Sequence, residues 1–492
     1  MGQSVLILSA IFIPILWGLV LLIKPEFKNR KSLITASGAG LVLAGILGGA
    51  VIFGGEQEIL LFSLGKNMDI FFRVDAVSKL FAAVVTVVWI LAGFYAFEYM
   101  KHEKEEKRYF GFYVLVFGVL YALTFAGNMV TYYLFYEMMT LLSMPLILHS
   151  KSKEAIMGAL KYLFYSLFGA YMVLFGIYFL NKYALTLNFT AGGTLNMQAV
   201  AGNEGILLVA AFAMIVGFGV KAGMFPLHAW LPTAHPVAPA PASAVMSGII
   251  VKMGVLGMVR VVFFLFGADF IRGTWVQTVW LVLSLITVFM GSMLAYREKV
   301  TKKRLAYSTV SQISYILFGM ALLVPEGLTG SLLHVIFHAV IKSTLFMCAG
   351  AIIYKTGKTS VDELKGIGKE MPITIWCYTF ASAALIGIPP ASGFISKWHL
   401  AIGALDSGIA TFSWLGPVVL LVSALLTAGY LLPITVNGFL PGADFDYGSL
   451  KKKEPVKMMV IPIMILAALA ILLGVFPTPV TDYISAIVNM VL

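Results

Sequence analysis

Cysteine is almost missing from this 492-residue chain: Cys348 and Cys377 both lie inside apolar runs, with no CxxC or CxxCH motif. That excludes an iron–sulfur cluster or a c-type haem held by this chain alone. Charge is scarce too, at 12% of residues. Soluble domains carry about twice that share, so a string of two or three soluble domains is excluded. Acid is scarcer than base, 23 residues against 34, for a formal charge of +11. Because those cations sit in short loops between apolar runs, they argue against a nucleic-acid partner. GxGxxG and Walker A sequences are absent, and GFGVKAG at 217–223 lies in an apolar run where small residues suit close helix packing.

What is present is hydrophobic: 60% of residues, with a mean hydropathy of +0.94. This is the composition of an integral membrane protein. A hydrocarbon core of ~30 Å needs about 20 apolar residues per helix. Such runs occur at 4–23, 33–53, 74–98, 109–127, 129–149, 155–180, 205–224, 238–265, 274–296, 305–323, 328–354, 371–402, 413–440 and 458–475, fourteen in all. Lipid offers backbone groups no partners and no period-2 alternation suggests a barrel, so the expected fold is all-α and polytopic. The first run opens on MGQS rather than a basic stretch and is read as a span, not a cleaved leader.

Loop charge supplies an independent check. Loops after odd-numbered spans hold 23 Lys and Arg, whereas the others hold only Lys66, Arg73, Lys182 and Arg272. That asymmetry predicts basic loops in the cytoplasm and both termini outside a cell membrane. Seven basic residues remain inside spans: Lys79, Lys161, Lys221, Lys252, Arg260, Lys342 and Lys397. Charge at mid-bilayer is costly, so such groups face the protein interior, pair, or line water. Lys79, Lys161 and Arg260 lie near span ends, where snorkelling competes with function. Glu137 is the lone acid of the fifth span, in TYYLFYEMMTLLSMP. A carboxylate and an amine that meet at such depth make a two-position switch for protons.

His334, His338 and Lys342 recur at i, i+4 and i+8 of the eleventh span, one polar stripe on an apolar helix. The stripe reads as a proton relay, a hydrogen-bonded structural cluster, or a metal or haem site. The metal reading lacks the glutamate of HExxH, and the haem reading needs a facing ligand from another helix. After Lys221 come Pro226, Pro232, Pro236, Pro239 and Pro241, and in the twelfth span GIPPASGFISKWH sets Pro389 and Pro390 before Lys397. No unbroken helix survives either segment. The two broken spans are five apart and so cross in opposite directions, which points to inverted repeats with ion sites at the breaks. The expected organisation is N-terminal helices in 1–108, repeats in 109–265 and 274–440, and a loop with the last helix in 441–492. His228 and His235, in the proline-rich segment, either pass protons inward from the cytoplasmic side or cap loops.

With YEMMTLLSMPLIL at 136–148, KAGMFPLHAWLPTAHPVAPAPASA at 221–244, KRLAYSTVSQISY at 303–315, HVIFHAVIKSTLF at 334–346 and GIPPASGFISKW at 387–398, the chain resembles a known superfamily. It comprises the antiporter-like subunits of proton-pumping NADH:quinone oxidoreductase (complex I), Mrp-type sodium/proton antiporters and membrane-bound hydrogenases. In length and motif set it is most similar to the D-type Mrp subunits or the corresponding hydrogenase subunit. The resemblance implies fourteen helices and two inverted five-helix repeats. It also implies a Glu137–Lys221 pair, Lys252 linking two half-channels, a relay through His338 and Lys342, and Lys397 near an outward path. Lysine at 397 and Gln312 in place of histidine set it apart from some members.

The function expected is proton translocation, with or without sodium exchange, inside a multisubunit complex with other membrane subunits. No cofactor or metal is expected on this chain, and any oxidoreductase activity would belong to the whole complex. The rival readings are a redox subunit binding quinone or haem and a scaffold that translocates nothing.

Overall fold

The computed structural model describes residues 2–492 except 64, 66, 444, 447, 449 and 450, so Lys66 lies outside the described residues. Every apolar run is helical, with ends within about four residues of the sequence reading. The first six helices are α1 (Gly2–Ile23), α2 (Arg30–Ile52), α3 (Ala76–Tyr99), α4 (Glu106–Thr124), α5 (Met129–Ile147) and α6 (Lys153–Tyr183). Then come α7 (Glu204–Ala222), α8 (Leu231–Val237), α9 (Ala240–Phe266), α10 (Trp275–Arg297), α11 (Thr301–Ala321) and α12 (Pro325–Thr356). The rest are α13 (Pro372–Ile386), α14 (Ser392–Leu405), α15 (Ala410–Phe439), α16 (Lys457–Val475) and α17 (Thr478–Val491). Among the described residues ten helices are long and apolar enough to cross a membrane.

Burial ranks these helices. The most apolar stretch of α9 is wholly buried and that of α12 is 89% buried, against 39% for α6 and 33% for α15. Polar side chains on α9 and α12 therefore face protein, while α6 and α15 form part of the perimeter. Small residues permit the close crossings: a Cβ built on Gly169 of α6 or on Gly217 of α7 would meet the other's carbonyl oxygen at 2.5 Å.

The breaks fall where proline requires them. Helix α7 stops at Ala222 with Gly223 left-handed at φ 80°, and α8 resumes at Leu231 after Pro226. Helix α13 stops at Ile386 with Gly387 at φ 95°, and α14 resumes at Ser392 after Pro389 and Pro390. Helix α9 is continuous but widens into π-helical turns at Met246–Ile250 and Arg260–Phe266, on either side of Lys252.

Two elements depart from the expected set of spanning helices. Residues Gln57–Ser63 (β1) and Asp69–Val74 (β2) pair as an antiparallel hairpin between α2 and α3. Strand β2 alternates, with Ile70, Phe72 and Val74 buried. Its edge groups find partners outside the hairpin, Phe71 N–H on Thr131 Oγ1 and Arg73 N–H on the Phe125 carbonyl. Strands this short, set in a loop between spans, leave no trace in the pattern of long apolar runs. The second departure is α17, an amphipathic helix whose buried Ile484, Ile487, Val488 and Val491 follow the 3.6-residue period.

Candidate functional site

Lys221 lies in the last turn before the break in α7, fully buried. Its amine has three donors and spends all of them on hydroxyls: Ser166 Oγ at 2.7 Å, Thr140 Oγ1 at 2.9 Å and Tyr162 OH at 3.1 Å. Those hydroxyls come from α5 and α6, and the Tyr162 ring centroid lies 4.2 Å from the amine. Glu137 sits one turn from Thr140 on α5. No ion pair within 4 Å joins Glu137 to Lys221 among the described residues, and Glu137 Oε1 is buried without a hydrogen-bond partner. Three hydroxyls thus cage the lysine amine, and the Glu137 carboxylate stands beyond ion-pair distance of it.

Helix α9 carries the row onward. A Cβ on Gly254 would lie 3.2 Å from Lys221 Cβ, so the backbone two residues past Lys252 touches the lysine of α7. Lys252 Nζ donates to the Ser247 carbonyl, which lies in the widened turn, at 2.6 Å. It also shares a 2.6 Å hydrogen bond with His338 Nδ1 of α12. His338 stacks on His334 with ring centroids 5.8 Å apart, and His334 Nδ1 lies 2.8 Å from Ser396 Oγ of α14. The Tyr315 ring of α11 lies against His334 at 5.7 Å and within 5.0 Å of the Lys397 amine. Lys397 reaches back over its own break to the carbonyls of Leu385 (2.6 Å) and Ile386 (2.9 Å). Those carbonyls end α13 and so lack intrahelical partners.

Lys342 leaves the stripe that spacing assigned to it. Its amine donates to the Leu305 carbonyl of α11 at 2.7 Å, so His338's partner is Lys252, from another helix. The remaining span cations are tied locally. Lys79 donates to the Gly54 carbonyl and Lys161 to Thr233 Oγ1. Arg260 grips Asp75 with two bonds of 2.7 and 2.8 Å and adds Ser78 Oγ at 3.1 Å. His235 is fully buried on α8 and His228 half-buried before it.

Several buried polar atoms have no protein partner: Nε2 of His334 and of His338, both ring nitrogens of His235, and both amide atoms of Gln312. Buried polar groups of this kind are ordinarily satisfied by water. Among the described residues no three His, Cys, Asp or Glu side chains are grouped so as to hold a metal ion. Spacing missed the hydroxyl cage of Thr140, Tyr162 and Ser166, and the bridging Ser396 and Tyr315. The available signal was helical register: Thr140 is i+3 from Glu137, and Tyr162 and Ser166 are i, i+4.

The family model "NADH:quinone oxidoreductase/Mrp antiporter, TM" matches residues 126–440, and "NADH-Ubiquinone oxidoreductase (complex I), chain 5 N-terminus" matches residues 62–110. The chain belongs to the NADH:quinone oxidoreductase/Mrp antiporter membrane family. It is 30% identical to NADH-quinone oxidoreductase subunit N of Desulforudis audaxviator over 82% of this chain and 81% of that one. It is 29% identical to the D-type Na(+)/H(+) antiporter subunit of Bacillus subtilis over 88% of this chain and 86% of that one. Its fold matches a chain in the structure of the Mrp complex of a Dietzia species, with a TM-score of 0.85 and 22% identity, covering 100% of this chain and 98% of that one.

Proposed function

We propose that this chain is a proton-translocating membrane subunit of a multisubunit antiporter or redox-driven ion pump in the cell membrane. The observation that carries the reading is the 2.6 Å contact between Lys252 and His338, deep in the helix bundle and between two helices whose most apolar stretches are 100% and 89% buried in protein. Titratable groups retained there serve proton transfer better than stability, since ion-free apolar packing is the cheaper alternative. The row runs from Glu137 and Lys221 through Lys252 and His338 to His334 and Lys397, with Lys342 as a branch. Water completes it at the unpartnered ring nitrogens of His334 and His338.

The same reading assigns fourteen crossings, adding α4, α5, α11 and the broken α13–α14 pair to the ten apolar helices. It makes 109–265 and 274–440 two inverted five-helix repeats, basic loops cytoplasmic and both termini outside. Support comes from the paired breaks in α7–α8 and α13–α14, each with a left-handed glycine, Gly223 or Gly387, and a lysine beside it in sequence or space, Lys221 or Lys397. Sodium as the counter-ion and neighbouring membrane subunits as partners are supported by the Bacillus subtilis antiporter protein and the Dietzia complex. The test is transport by the intact complex in sealed vesicles: Lys221→Ala and Glu137→Ala should each abolish or strongly slow proton movement, and parental rates with either would overturn the assignment.

A further inference from the structure

Loops of the basic face converge on a cavity of about 220 Å³ lined by Glu103, Ser150, Lys302 and Thr359 and by Pro236 and Ala238. Glu103 follows α3, Ser150 follows α5, Lys302 opens α11 and Thr359 follows α12. The end of α8, Pro236 and Val237, forms part of its wall. Lys302 fixes that end, donating to the carbonyls of Pro236 (3.0 Å) and Ala238 (2.5 Å).

One residue inward lies His235, wholly buried and with neither ring nitrogen hydrogen-bonded. Its ring stacks on Phe346 with centroids 4.7 Å apart. The amine of Lys342 lies 5.5 Å from the centre of that same ring. Three titratable groups therefore follow one another from the surface inward: Glu103 at the mouth, His235 behind that wall, Lys342 on the relay helix. A helix cap alone accounts for Lys302. It does not account for an acid at the rim or an imidazole left with two free nitrogens.

We propose that this cavity is the proton intake of the basic face, with Glu103 and His235 passing protons to Lys342 and Lys302 positioning the wall. The proposal rests on the function argued above and adds the route by which protons reach the row. Glu103 carboxylate takes a proton from bulk water and returns it to water within the cavity. His235 accepts that proton on one ring nitrogen and releases the proton of the other toward a neutral Lys342 amine, so the imidazole ends neutral and turns over to reset. Charge moves inward by one unit and no group is consumed.

The test uses the intact complex in vesicles with the basic face outward. Glu103→Gln and His235→Phe should slow proton uptake from that face by about tenfold or more. A small weak acid such as azide or formate should restore the Glu103→Gln rate, which a merely structural defect would not allow. Lys252→Met separates the two ideas. If Lys252→Met abolishes transport while Glu103→Gln and His235→Phe run at parental rate, the intake is wrong and the row stands; if Lys252→Met is also silent, the row itself fails. Should His235→Phe not assemble, Ser150→Cys decides. Both native cysteines are buried, so a membrane-impermeant thiol reagent added to the basic face should block transport through the new thiol. Complete labelling with transport unchanged would overturn the proposal.

Discussion

Lys252 of α9 and His338 of α12 share a single 2.6 Å hydrogen bond in the interior of the bundle. At that separation two cations would repel strongly in a low-dielectric interior, so the pair cannot comfortably hold both protons. A proton arriving at one side displaces the proton on the other. His338→Gln keeps an acceptor for the amine but cannot take a proton, and Lys252→Met keeps the volume without the charge. Each is expected to cut transport by about a hundredfold with the complex assembled. The double variant should be no worse than either single, because both remove one step; vesicle transport assays with subunit quantification give the comparison.

The hydroxyl cage around Lys221 predicts a graded series. Tyr162→Phe and Ser166→Ala each remove one of three acceptors, and should reduce transport by a few-fold, about 1 kcal/mol per lost bond. Lys221→Arg should fail outright. A guanidinium stays charged at all working pH values and its planar fork does not fit a site built for an ammonium. Parental activity in the arginine variant would mean that the lysine never releases its proton.

Crossing of α6 and α7 depends on two missing side chains. Gly169→Leu or Gly217→Leu would drive carbon into a carbonyl that a Cβ already meets at 2.5 Å. Helix α6 would be pushed off α7, and Tyr162 and Ser166 would leave the amine. Expected outcomes are loss of assembled protein in membranes and faster inactivation in detergent, whereas Gly205→Ala, where a Cβ meets nothing within 4 Å, should be silent.

Arg260 and Asp75 join α9 to the start of α3. Asp75 accepts the guanidinium and also caps α3 through Ser78 N–H at 2.8 Å. Removing one member leaves the other unpaired, so Arg260→Met should cost about 3 kcal/mol, with Asp75 18% exposed keeping it at the low end. Arg260→Met with Asp75→Asn should recover much of that loss, as read from thermal inactivation midpoints in detergent.

The positions of the helices were legible in the chain because the bilayer length sets a minimum apolar run, and proline and glycine mark the breaks at 223–226 and 387–390. The charged residues stood out for the same reason: Lys221, Lys252, Lys342 and Lys397 interrupt runs that otherwise exclude charge. The hairpin at 57–74 was not legible, since its strands are far shorter than a membrane span and sit between two of them. Nor was the amphipathic α17, whose apolar stripe is too narrow to register as a span.

Composition and periodicity, then, determined that this chain is helical, membrane-embedded, interrupted twice and supplied with interior ionisable groups, because each follows from what lipid tolerates along a single strand of residues. Which of those groups touch was decided only in three dimensions. Lys342 shares a helix face with His338 by spacing, yet its amine turns to α11, and Lys252 from α9 takes its place. Hydrogen bonds reach about 3 Å, and at that range the side-chain rotamer and the neighbouring helix decide the partner, which no spacing along one helix encodes.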